Sequence, residues 1–345
     1  MSSSVLMIDW LGRGGIAQCT EAWAIELGGA GHAVTVVTRP DRELGAGRVP
    51  TIGAPPRRGR VRAHLAVART ATERIRDERP SVVVVHNYVL PPLEARVFDA
   101  ARAVGARVVA VVHDDRLHTL GAGTRAGLRR RLREADVVVT HTRFVAEGVR
   151  RFTGRTDVTV LPVPGQIGLV SREPTPPRLP SGPLLWAGHF GVLRRRYKGG
   201  DLVEGLARAG VPGWGFVAAG AGAPRDAPGL VALPGYLSPE ALLGVVSATD
   251  VTLAPYRRAT QSGAVVLAHL LGSVPVASAV GGIPEQIEDG VDGVLLAPDA
   301  PAPAWRTALD DLADEERRKD MAVAGIARSW RDHEDFVRGI RRIVG

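Results

Sequence analysis

The chain has 345 residues, of which 45% are hydrophobic and 23% charged, and a mean hydropathy near zero, as expected for a globular protein of about two domains. This composition excludes the disordered and collagen-like classes of protein. No apolar run is long enough to span a membrane. The single cysteine, Cys19, excludes a disulfide within the chain. The net charge is +8 and its excess lies in residues 1–165, which carry 25 arginines against 16 carboxylates. The main interpretation of the densest basic patch is a solvated helix face, and attraction to an anionic membrane surface or an acidic ligand is the alternative; nucleic-acid-binding motifs are missing.

Short apolar, β-branched runs alternate with helix-length segments along the first half of the chain. Such runs are typical of parallel strands that are buried on both faces. They are VLMIDWL, AVTVVT, VVVVH, RVVAVVH and DVVVTHT. The repetition predicts a doubly wound α/β domain over residues 1–165, in which the segment RAGLRRRLREAD forms a helix with Leu128 and Leu132 on one face. Residues 166–182, rich in Pro, Ser and Gly, predict a linker.

The alternation restarts after the predicted linker. The second set of runs is LLWAGH, GFVAAG, LVALPGY, DVTLAPY, VPVASA and GVLLAP. It predicts a second doubly wound domain over residues 183–325, followed by an amphipathic helix over residues 326–345 that packs back across the domains. The predicted fold class is therefore α/β, with two Rossmann-like parallel-sheet domains facing a cleft and a ligand at the carboxyl ends of their strands.

A glycine-rich turn follows the first strand. Gly12, Gly14 and Ala17 match the G-x-G-x-x-A dinucleotide fingerprint, in which glycines let the backbone approach a pyrophosphate. The acid that this fingerprint requires after the second strand is replaced by Arg39, which suits only a 2′-phosphate and keeps an NADP-dependent oxidoreductase as one alternative. The other interpretation is a loop in which Gly14 and Gly15 contact a phosphate or a sugar.

A cluster of cations lies between a strand and a helix in the second domain. The segment WAGHFGVLRRRYKGG places His189, Arg194, Arg196 and Lys198 ahead of a helix that starts near Gly200. Fixed cations and amide dipoles stabilise the negative charge that grows on a departing phosphate. For each arginine a solvated loop is the competing interpretation, whereas the Lys-Gly-Gly sequence before a helix favours a binding role for Lys198.

A second corner of this kind follows the strand VTLAPY. Ser262 is predicted to cap the next helix, and Gly263 would let an anion approach the first amides of that helix. Gln261 precedes the cap, and Arg257 or Arg258 is available to neutralise a phosphate. An ordinary loop with a helix cap is the competing interpretation.

Polar residues also end two strands of the first domain. His86 closes the run VVVVH, and His113 and Asp114 follow RVVAVV. Binding sites of doubly wound folds collect at the carboxyl ends of strands, so a functional role and a structural role are both open for His113. A buried histidine is more often a structural residue, and this remains the main interpretation of His86. Asp114 is either a helix cap or a ligand of an acceptor hydroxyl.

Taken together, these segments resemble the family-4 retaining glycosyltransferases of the GT-B fold, glycosyl transferases group 1, over nearly the whole chain. The segments that carry the resemblance are RGGIAQCTEAWAIELGGAGHAVTVVT, VVHD, YKGGDLVEGLARAG, GYLSPEALLGVVSATDVTLAPY and SGAVVLAHLLGSVPVASAVGGIPEQIEDGVDGVLLAP. The resemblance implies a nucleotide-sugar donor bound mainly by the second domain, an acceptor bound by the first, and transfer with retention. It implies no metal and no other cofactor.

The resemblance assigns roles to individual residues. The lysine that holds the donor diphosphate corresponds to Lys198, and the partner arginine falls on His189, so that His189 or one of residues 194–196 replaces it. This makes Lys198, Arg196 and His113 the expected catalytic residues. The other expected donor contacts are Gly14, Gly15, Arg194, Tyr236, Leu237, Gln261, Ser262 and Gly263, and the expected acceptor contacts are His86 and Asp114.

The chain departs from the family pattern at one motif. Many members carry two glutamates beside the donor sugar and ribose, and Thr260 and Ala268 occupy those positions here. Gln261 and Ser262 are therefore expected to take over donor recognition, with a UDP- or GDP-sugar as donor. A sugar-nucleotide-binding protein or an epimerase on the same fold is the alternative.

The sequence predicts broad classes of acceptor and a general cellular location. A small metabolite, a sugar or a lipid-linked molecule is compatible with the sequence as acceptor. The N-terminal sequence MSSSVLMIDW lacks a basic segment and a cleavage site, so we expect a cytoplasmic protein. The basic first domain suggests peripheral contact with the inner face of the membrane.

Overall fold

A computed structural model gives the architecture. It describes residues 2–40, 49–56, 59–86, 90–114, 122–165, 170–193, 196–224 and 228–345. The chain divides into two compact units, one comprising Met1–Pro164 with Glu334–Gly345 and the other comprising Gly165–His333. No helix of the described residues is both long enough and apolar enough to cross a membrane.

The first unit is a seven-stranded parallel sheet with helices between its strands, in the order β3-β2-β1-β4-β5-β6-β7. Its strands are β1 Ser4–Asp9, β2 Ala33–Thr38, β3 Thr51–Gly53, β4 Val82–His86, β5 Arg107–Val112, β6 Val137–Thr140 and β7 Val158–Val160. Its helices are α1 Gly14–Gly29, α2 Arg60–Glu78, α3 Pro91–Ala103, α4 Ala122–Glu134 and α5 Arg143–Thr153.

Local sequence explains most of these elements. Every residue of β4 is buried, as expected for a strand with helices on both faces. Leu128 and Leu132 of α4 are buried as predicted, at 2% and 1% exposure. Strand β3 was missed by the sequence prediction, because three partly exposed residues at the sheet edge carry no continuous apolar run.

The second unit repeats the architecture with a six-stranded parallel sheet, in the order β10-β9-β8-β11-β12-β13. Its strands are β8 Leu185–Phe190, β9 Trp214–Gly220, β10 Leu230–Pro234, β11 Val251–Ala254, β12 Val274–Ser278 and β13 Val294–Leu296. The α-helices of residues 196–224 and 228–345 are α6 Gly200–Ala209, α7 Pro239–Ser247, α8 Gly263–Leu271, α9 Ala302–Asp311 and α10 Glu315–Val344.

The unit limits differ from the predicted domain limits. Within the predicted linker, Val170 and Leu179 pack against an apolar cluster of the second unit, and the Thr175 amide donates to the Glu240 carbonyl at 2.9 Å. Over residues 171–182, the proline and glycine content therefore marked a packed segment without regular structure. Helix α10 begins before the predicted residue 326, and its last turns bury Phe336 and Ile340 in the core of the first unit.

Both sheets contain a point at which the strand order reverses, and binding sites of doubly wound folds lie at the carboxyl ends of the strands there. This point is between β1 and β4 in the first unit and between β8 and β11 in the second. Strand β8 pairs with β9 as far as Phe190, but its pairing with β11 stops at Gly188. The second sheet therefore opens at its reversal point, beside His189.

Candidate functional site

Lys198 lies in a turn that is bound to the end of β11. A single 3-10 turn, Arg196–Lys198, precedes α6. The Arg257 amide donates to the Tyr197 carbonyl at 2.8 Å, and the Arg257 guanidinium donates to the Arg196 carbonyl at 2.6 Å. These bonds fix the position of the turn relative to the segment that follows β11.

The ammonium group of Lys198 lies over an aromatic ring. Its Nζ is 3.7 Å from the ring centroid of Tyr256 and 5.9 Å from that of Tyr197, within the range of cation–π attraction. Tyr256 is only 1% exposed, so its ring is a rigid support. The positive charge of Lys198 is thereby held next to the reversal point of the second sheet.

Gly199 makes this placement possible. Its φ is +71°, in the left-handed region, and a Cβ at this position would lie 1.9 Å from the Pro255 carbonyl oxygen. An L side chain would therefore meet both unfavourable backbone geometry and a direct overlap. The Lys-Gly-Gly sequence is required by the close approach of two backbone segments as well as by the start of a helix.

The predicted cap of α8 is confirmed. The Ser262 side chain accepts a hydrogen bond from the Val265 amide at 3.3 Å, and its Oγ lies 3.3 Å from the Tyr256 hydroxyl. Ser262 is 3% exposed, so its hydroxyl serves the cap and the contact with Tyr256. The first turn of α8 carries no carboxylate, which leaves its amide end favourable to an anion.

Gln286 holds the cap residue from both sides. Its Oε1 accepts from the Ser262 amide at 2.7 Å, and its Nε2 donates to the Ser262 carbonyl at 3.2 Å. Gln286 is 8% exposed, and the sequence analysis did not single it out. The residue connects the 3-10 turn Ile283–Glu285 to the start of α8 and fixes the direction of that helix end.

His189 does not supply a positive charge. Its Nδ1 donates to the Leu253 carbonyl at 2.9 Å across the opening between β8 and β11. Burial, reinforced by the charge of Lys198, lowers the pKa of His189 to about 4, so the ring is neutral near pH 7. Of the predicted replacements for the family arginine, His189 thus does not qualify as a cation.

The arginines of this region differ in their surroundings. Arg196 is exposed and lines a cavity of about 390 Å³ together with His189 and Gly200. Arg194, which was predicted to contact the donor, and Arg195 lie outside the described residues. The remaining cations are partly engaged, since Arg257 forms an ion pair with Asp201 and Arg258 lies 5.9 Å from the Tyr197 ring centroid.

Two predicted donor contacts of the second unit lie apart from this turn along the sheet. Tyr236 and Leu237 follow β10, the edge strand, which two strands separate from β11. Tyr236 is 51% exposed, whereas Leu237 packs against an apolar cluster. Lys198, His189 and Ser262 are brought together at the ends of β8 and β11, and Tyr236 presents an accessible ring farther along the same edge.

Three histidines end neighbouring strands of the first unit. His86 is the last residue of β4, His113 follows β5, and His141 follows β6. The ring centroids of His86 and His113 are 5.9 Å apart, and those of His113 and His141 are 5.0 Å apart. Asp114 is partly buried beside this row, whereas Asn87 and Asp115 lie outside the described residues. The structure thus adds His141, which the sequence analysis did not single out, to the predicted pair of histidines.

These histidines are neutral at physiological pH. Burial lowers the pKa of His86 to about 3 and that of His141 to about 4, and burial together with the neighbouring rings lowers the pKa of His113 well below 6.5. Burial raises the pKa of Asp9, at the end of β1, to about 6. His113 can therefore exchange hydrogen bonds with a ligand but presents no charge to it.

The glycine loop of the first unit leaves room next to its backbone. Asp9 accepts a hydrogen bond from the Leu11 amide at 2.9 Å, and α1 then begins at Gly14, whose φ is +71°. A Cβ at Gly14 or Gly15 would meet nothing within 4 Å. The first turn of α1 also lacks a carboxylate, so no negative side chain there would repel an anion.

Acidification should destabilise the protein because several histidines are buried without charge. The folded-state pKa values of His86, His141 and His189 lie below the ordinary 6.5, so only the unfolded chain takes up these protons as pH falls. Stability is full above pH 6.5 and is lost as pH falls toward 4, by roughly 2 kcal/mol per histidine at about pH 5. The raised pKa of Asp9 acts in the opposite direction and offsets part of this loss.

Denaturant unfolding at about pH 7 and about pH 5 measures this effect. The free energy of unfolding should fall by several kcal/mol, with an unchanged denaturant slope. Equal stability at the two pH values would show that these histidines are solvated in the folded protein.

Two family models match the chain. Residues 13–164 match the model of Glycosyltransferase Family 4, and residues 191–315 match the model of Glycosyl transferases group 1. The two matched ranges divide between the two structural units. Together they cover about four-fifths of the chain.

Curated relatives match over shorter stretches. The chain is 36% identical over 81 residues to D-inositol 3-phosphate glycosyltransferase of Corynebacterium kroppenstedtii, and 35% identical over 89 residues to the protein of the same name from Corynebacterium diphtheriae. The aligned stretches are 24% and 26% of this chain and span only 18% and 21% of those relatives.

Solved structures match over the full length. Sucrose-phosphate synthase from Thermosynechococcus elongatus has a TM-score of 0.77 at 17% identity, and HepE from Anabaena in complex with UDP-glucose has a TM-score of 0.70 at 16% identity. Each comparison covers 99% of this chain and 98% of the other. At such identities the likeness establishes the fold, and with the family models it leads to one conclusion: the chain belongs to the family-4 glycosyltransferases, glycosyl transferases group 1, and has the GT-B fold of two Rossmann-like domains.

Proposed function

We propose that the protein transfers a sugar from a nucleotide-diphosphate donor to a hydroxyl group of an acceptor, with retention of anomeric configuration. The observation that carries this proposal is the position of Lys198. Its ammonium group lies on the Tyr256 ring, and the hydroxyl of the same tyrosine contacts Ser262, the cap of α8. A cation and a helix N-terminus are thus coupled through one buried side chain, an arrangement suited to a diphosphate.

The proposed reaction uses these groups to stabilise the leaving nucleotide. The bond between the anomeric carbon and the donor phosphate oxygen breaks while the acceptor oxygen bonds to that carbon. Lys198, Arg196 and the first amides of α8 at Gly263 face the negative charge that develops on the phosphate. The acceptor proton passes to the departing phosphate oxygen, so we propose that the reaction requires neither a metal nor an organic cofactor.

We propose a UDP- or GDP-sugar as the donor. HepE, which shares the fold, was solved in complex with UDP-glucose. Tyr236 offers an exposed ring on which a nucleobase can stack. The two glutamates of many family members are replaced by Thr260 and by Ala268, which is fully buried in α8, so Gln261 and backbone groups are proposed to contact the sugar and ribose.

The first unit is proposed to hold the acceptor through His86, His113 and Asp114, and Gly14 and Gly15 are proposed to contact the phosphate or sugar of the donor. Because His113 is neutral, it would orient an acceptor hydroxyl by hydrogen bonding. Both a small metabolite and a lipid-linked molecule remain proposed acceptors.

We further propose a cytoplasmic protein that contacts the inner face of the membrane through basic residues of the first unit. Part of the α4 charge is internally paired, since Arg130 binds Glu134 and Arg131 binds Asp99 and Glu134. The exposed Arg129 on the same helix remains a candidate membrane contact. Sedimentation with anionic and with neutral vesicles tests the proposal, which requires binding to the anionic vesicles alone.

A panel of nucleotide sugars tests the function. The correct donor should raise the thermal unfolding midpoint, and the protein should release nucleotide faster when its acceptor is added. An epimerase would convert the donor without an acceptor, and a binding protein would be stabilised without turnover. Stabilisation by NADP that depends on Arg39, with no response to any nucleotide sugar, would favour an oxidoreductase.

Gln286 should be a positioning residue for the donor. Replacing it with leucine leaves the Ser262 amide and carbonyl buried without their partner, which should cost about 1–3 kcal/mol of stability. The donor KM should rise more than kcat falls, because the start of α8 loses its fixed direction. Gln286→Glu keeps the side-chain oxygen that accepts from the Ser262 amide and loses the N–H that donates to the Ser262 carbonyl. Its stability and its KM for the sugar donor should therefore lie between those of wild type and Gln286→Leu. An unchanged KM in Gln286→Leu would contradict this role.

A further inference from the structure

A thiol and two imidazoles meet in the first unit, where the sequence analysis assigned Cys19 only a packing role. The Sγ of Cys19 on α1 lies 3.3 Å from Nε2 of His141. Cys19, His113 and His141 each bring one ligand atom within 4.8 Å of the others, the only such group of three among the described residues. All three side chains are at least nine-tenths buried.

The orientation of His141 fits a metal ligand. Its Nδ1 lies 3.1 Å from the Leu161 carbonyl and 3.2 Å from the Pro162 carbonyl. Nδ1 must carry the proton, because a carbonyl oxygen only accepts. The Nε2 lone pair therefore faces Cys19, and a backbone carbonyl holds the opposite nitrogen, as for most histidines that bind metals.

His86 provides an independent observation at the same place. Its side chain is fully buried, and neither ring nitrogen has a hydrogen-bond partner in the described part of the chain. Burying such a group without a partner costs about 1–3 kcal/mol, so the arrangement calls for an explanation. The ring of His86 stacks on that of His113, one of the three candidate ligands, with the ring centroids 5.9 Å apart.

The donor set of one sulfur and two imidazole nitrogens favours a cation of borderline softness. A metal ion binds the thiolate form of cysteine, so binding of the ion displaces the thiol proton of Cys19. The exchange is balanced: a metal–sulfur bond forms, the sulfur–hydrogen bond breaks, and one proton is released to solvent.

We propose that Cys19, His113 and His141 form a binding site for one divalent cation of the zinc class. A thiolate with two imidazoles selects Zn²⁺ or Co²⁺ over Mg²⁺ and Ca²⁺, which prefer oxygen ligands. A second part of the proposal rests on the proposed function: the ion inhibits sugar transfer, because His113 bound to the metal cannot contact the acceptor. The site is thus regulatory, separate from the donor-binding residues of the second unit.

The test adds Zn²⁺, Co²⁺ or Mg²⁺ to the metal-free full-length protein. We expect one Zn²⁺ or Co²⁺ per chain, a Co²⁺–thiolate absorption band, slower alkylation of Cys19 in the presence of Zn²⁺, and no response to Mg²⁺. Because Cys19 is the only cysteine of the chain, both thiol signals report on this one site. Binding of Zn²⁺ should also release protons in a weakly buffered solution.

Cys19→Ser is the decisive variant, because serine keeps a hydroxyl of similar size beside His141 but does not ligate Zn²⁺ at neutral pH. It should weaken Zn²⁺ binding by at least about 10- to 100-fold, the loss typical of removing even an outer partner of a metal ligand. His32→Ala, at a partly exposed histidine outside the cluster, is the matched control and should bind like wild type.

The outcomes separate the two proposals. Unchanged Zn²⁺ binding in Cys19→Ser, or no Zn²⁺ binding by the wild type, overturns the metal site whatever the activity of the protein. With an active transferase, Zn²⁺ should inhibit the wild type and spare Cys19→Ser, and equal inhibition of both overturns the regulatory role. Metal binding without any transferase activity would contradict the proposed function and leave the site standing.

Discussion

Replacing Lys198 with alanine should lower kcat for sugar transfer by about 100-fold or more, the scale expected when one preorganised charge partner of a transition state is removed. The reason is geometric as well as electrostatic. Lys198 Nζ is held 3.7 Å from the ring centroid of Tyr256, whose hydroxyl contacts the α8 cap Ser262, so in the proposed reaction its charge would be in place before the phosphate departs. Steady-state kinetics with the identified donor and acceptor measure the loss.

The chain offers a matched control for this variant. Lys319, its only other lysine, pairs with Glu315 and is 70% exposed on α10. Lys319→Ala removes the same charge and should leave kcat unchanged. Lys198→Ala itself should lose no more than about 2 kcal/mol of stability, the upper range of a cation–π contact. Near-normal turnover in a folded Lys198→Ala variant would overturn the assignment of this residue.

Replacing Gly199 with alanine should damage both stability and catalysis. The left-handed backbone costs about 1–2 kcal/mol for a residue with a Cβ, and overlap with the Pro255 carbonyl adds about 1–3 kcal/mol unless the turn moves. If the turn moves, Lys198 moves with it. A displacement of about 1 Å at a catalytic group can cost about 100-fold in rate, so kcat should fall even where the protein remains folded.

Gly205→Ala is the control for the glycine prediction. Gly205 lies within α6 with an ordinary helical φ, and a Cβ there would meet nothing within 4 Å. This substitution should be neutral or stabilise the helix by about 0.5–1 kcal/mol. The two variants are compared by denaturant unfolding and by kcat at a temperature where both are folded. Equal stability and equal kcat in the two variants would show that neither folding nor catalysis requires the close approach of the Lys198 turn to Pro255.

The sequence predicted the architecture well, for a local reason. A strand buried between helices on both faces must be apolar throughout, so runs such as Val82–His86 are recognisable without any partner. The cap at Ser262 and the turn before α6 are likewise encoded within a few residues. The edge strand Thr51–Gly53 was missed because its partial exposure leaves no such pattern.

Other features depended on contacts between residues that are distant in the chain. Cys19 meets His141 across 122 positions, and Gln286 reaches Ser262 across 24. The neighbouring residues in the sequence do not indicate which distant residues these side chains contact. Neither pair could be inferred from one sequence, because the sheet order decides which loops become neighbours.

By itself, the sequence determined the two parallel-sheet domains, because burial periodicity is a local property. Its motifs also carried the glycosyltransferase resemblance, whereas the role of Lys198 stays a prediction. Tertiary structure alone decided the charge of His189. By the family resemblance the residue corresponds to an arginine, yet burial, reinforced by the charge of Lys198, lowers its pKa to about 4 and makes the ring neutral. Protonation is set by the surrounding dielectric and by neighbouring charges, which exist only after the chain has folded.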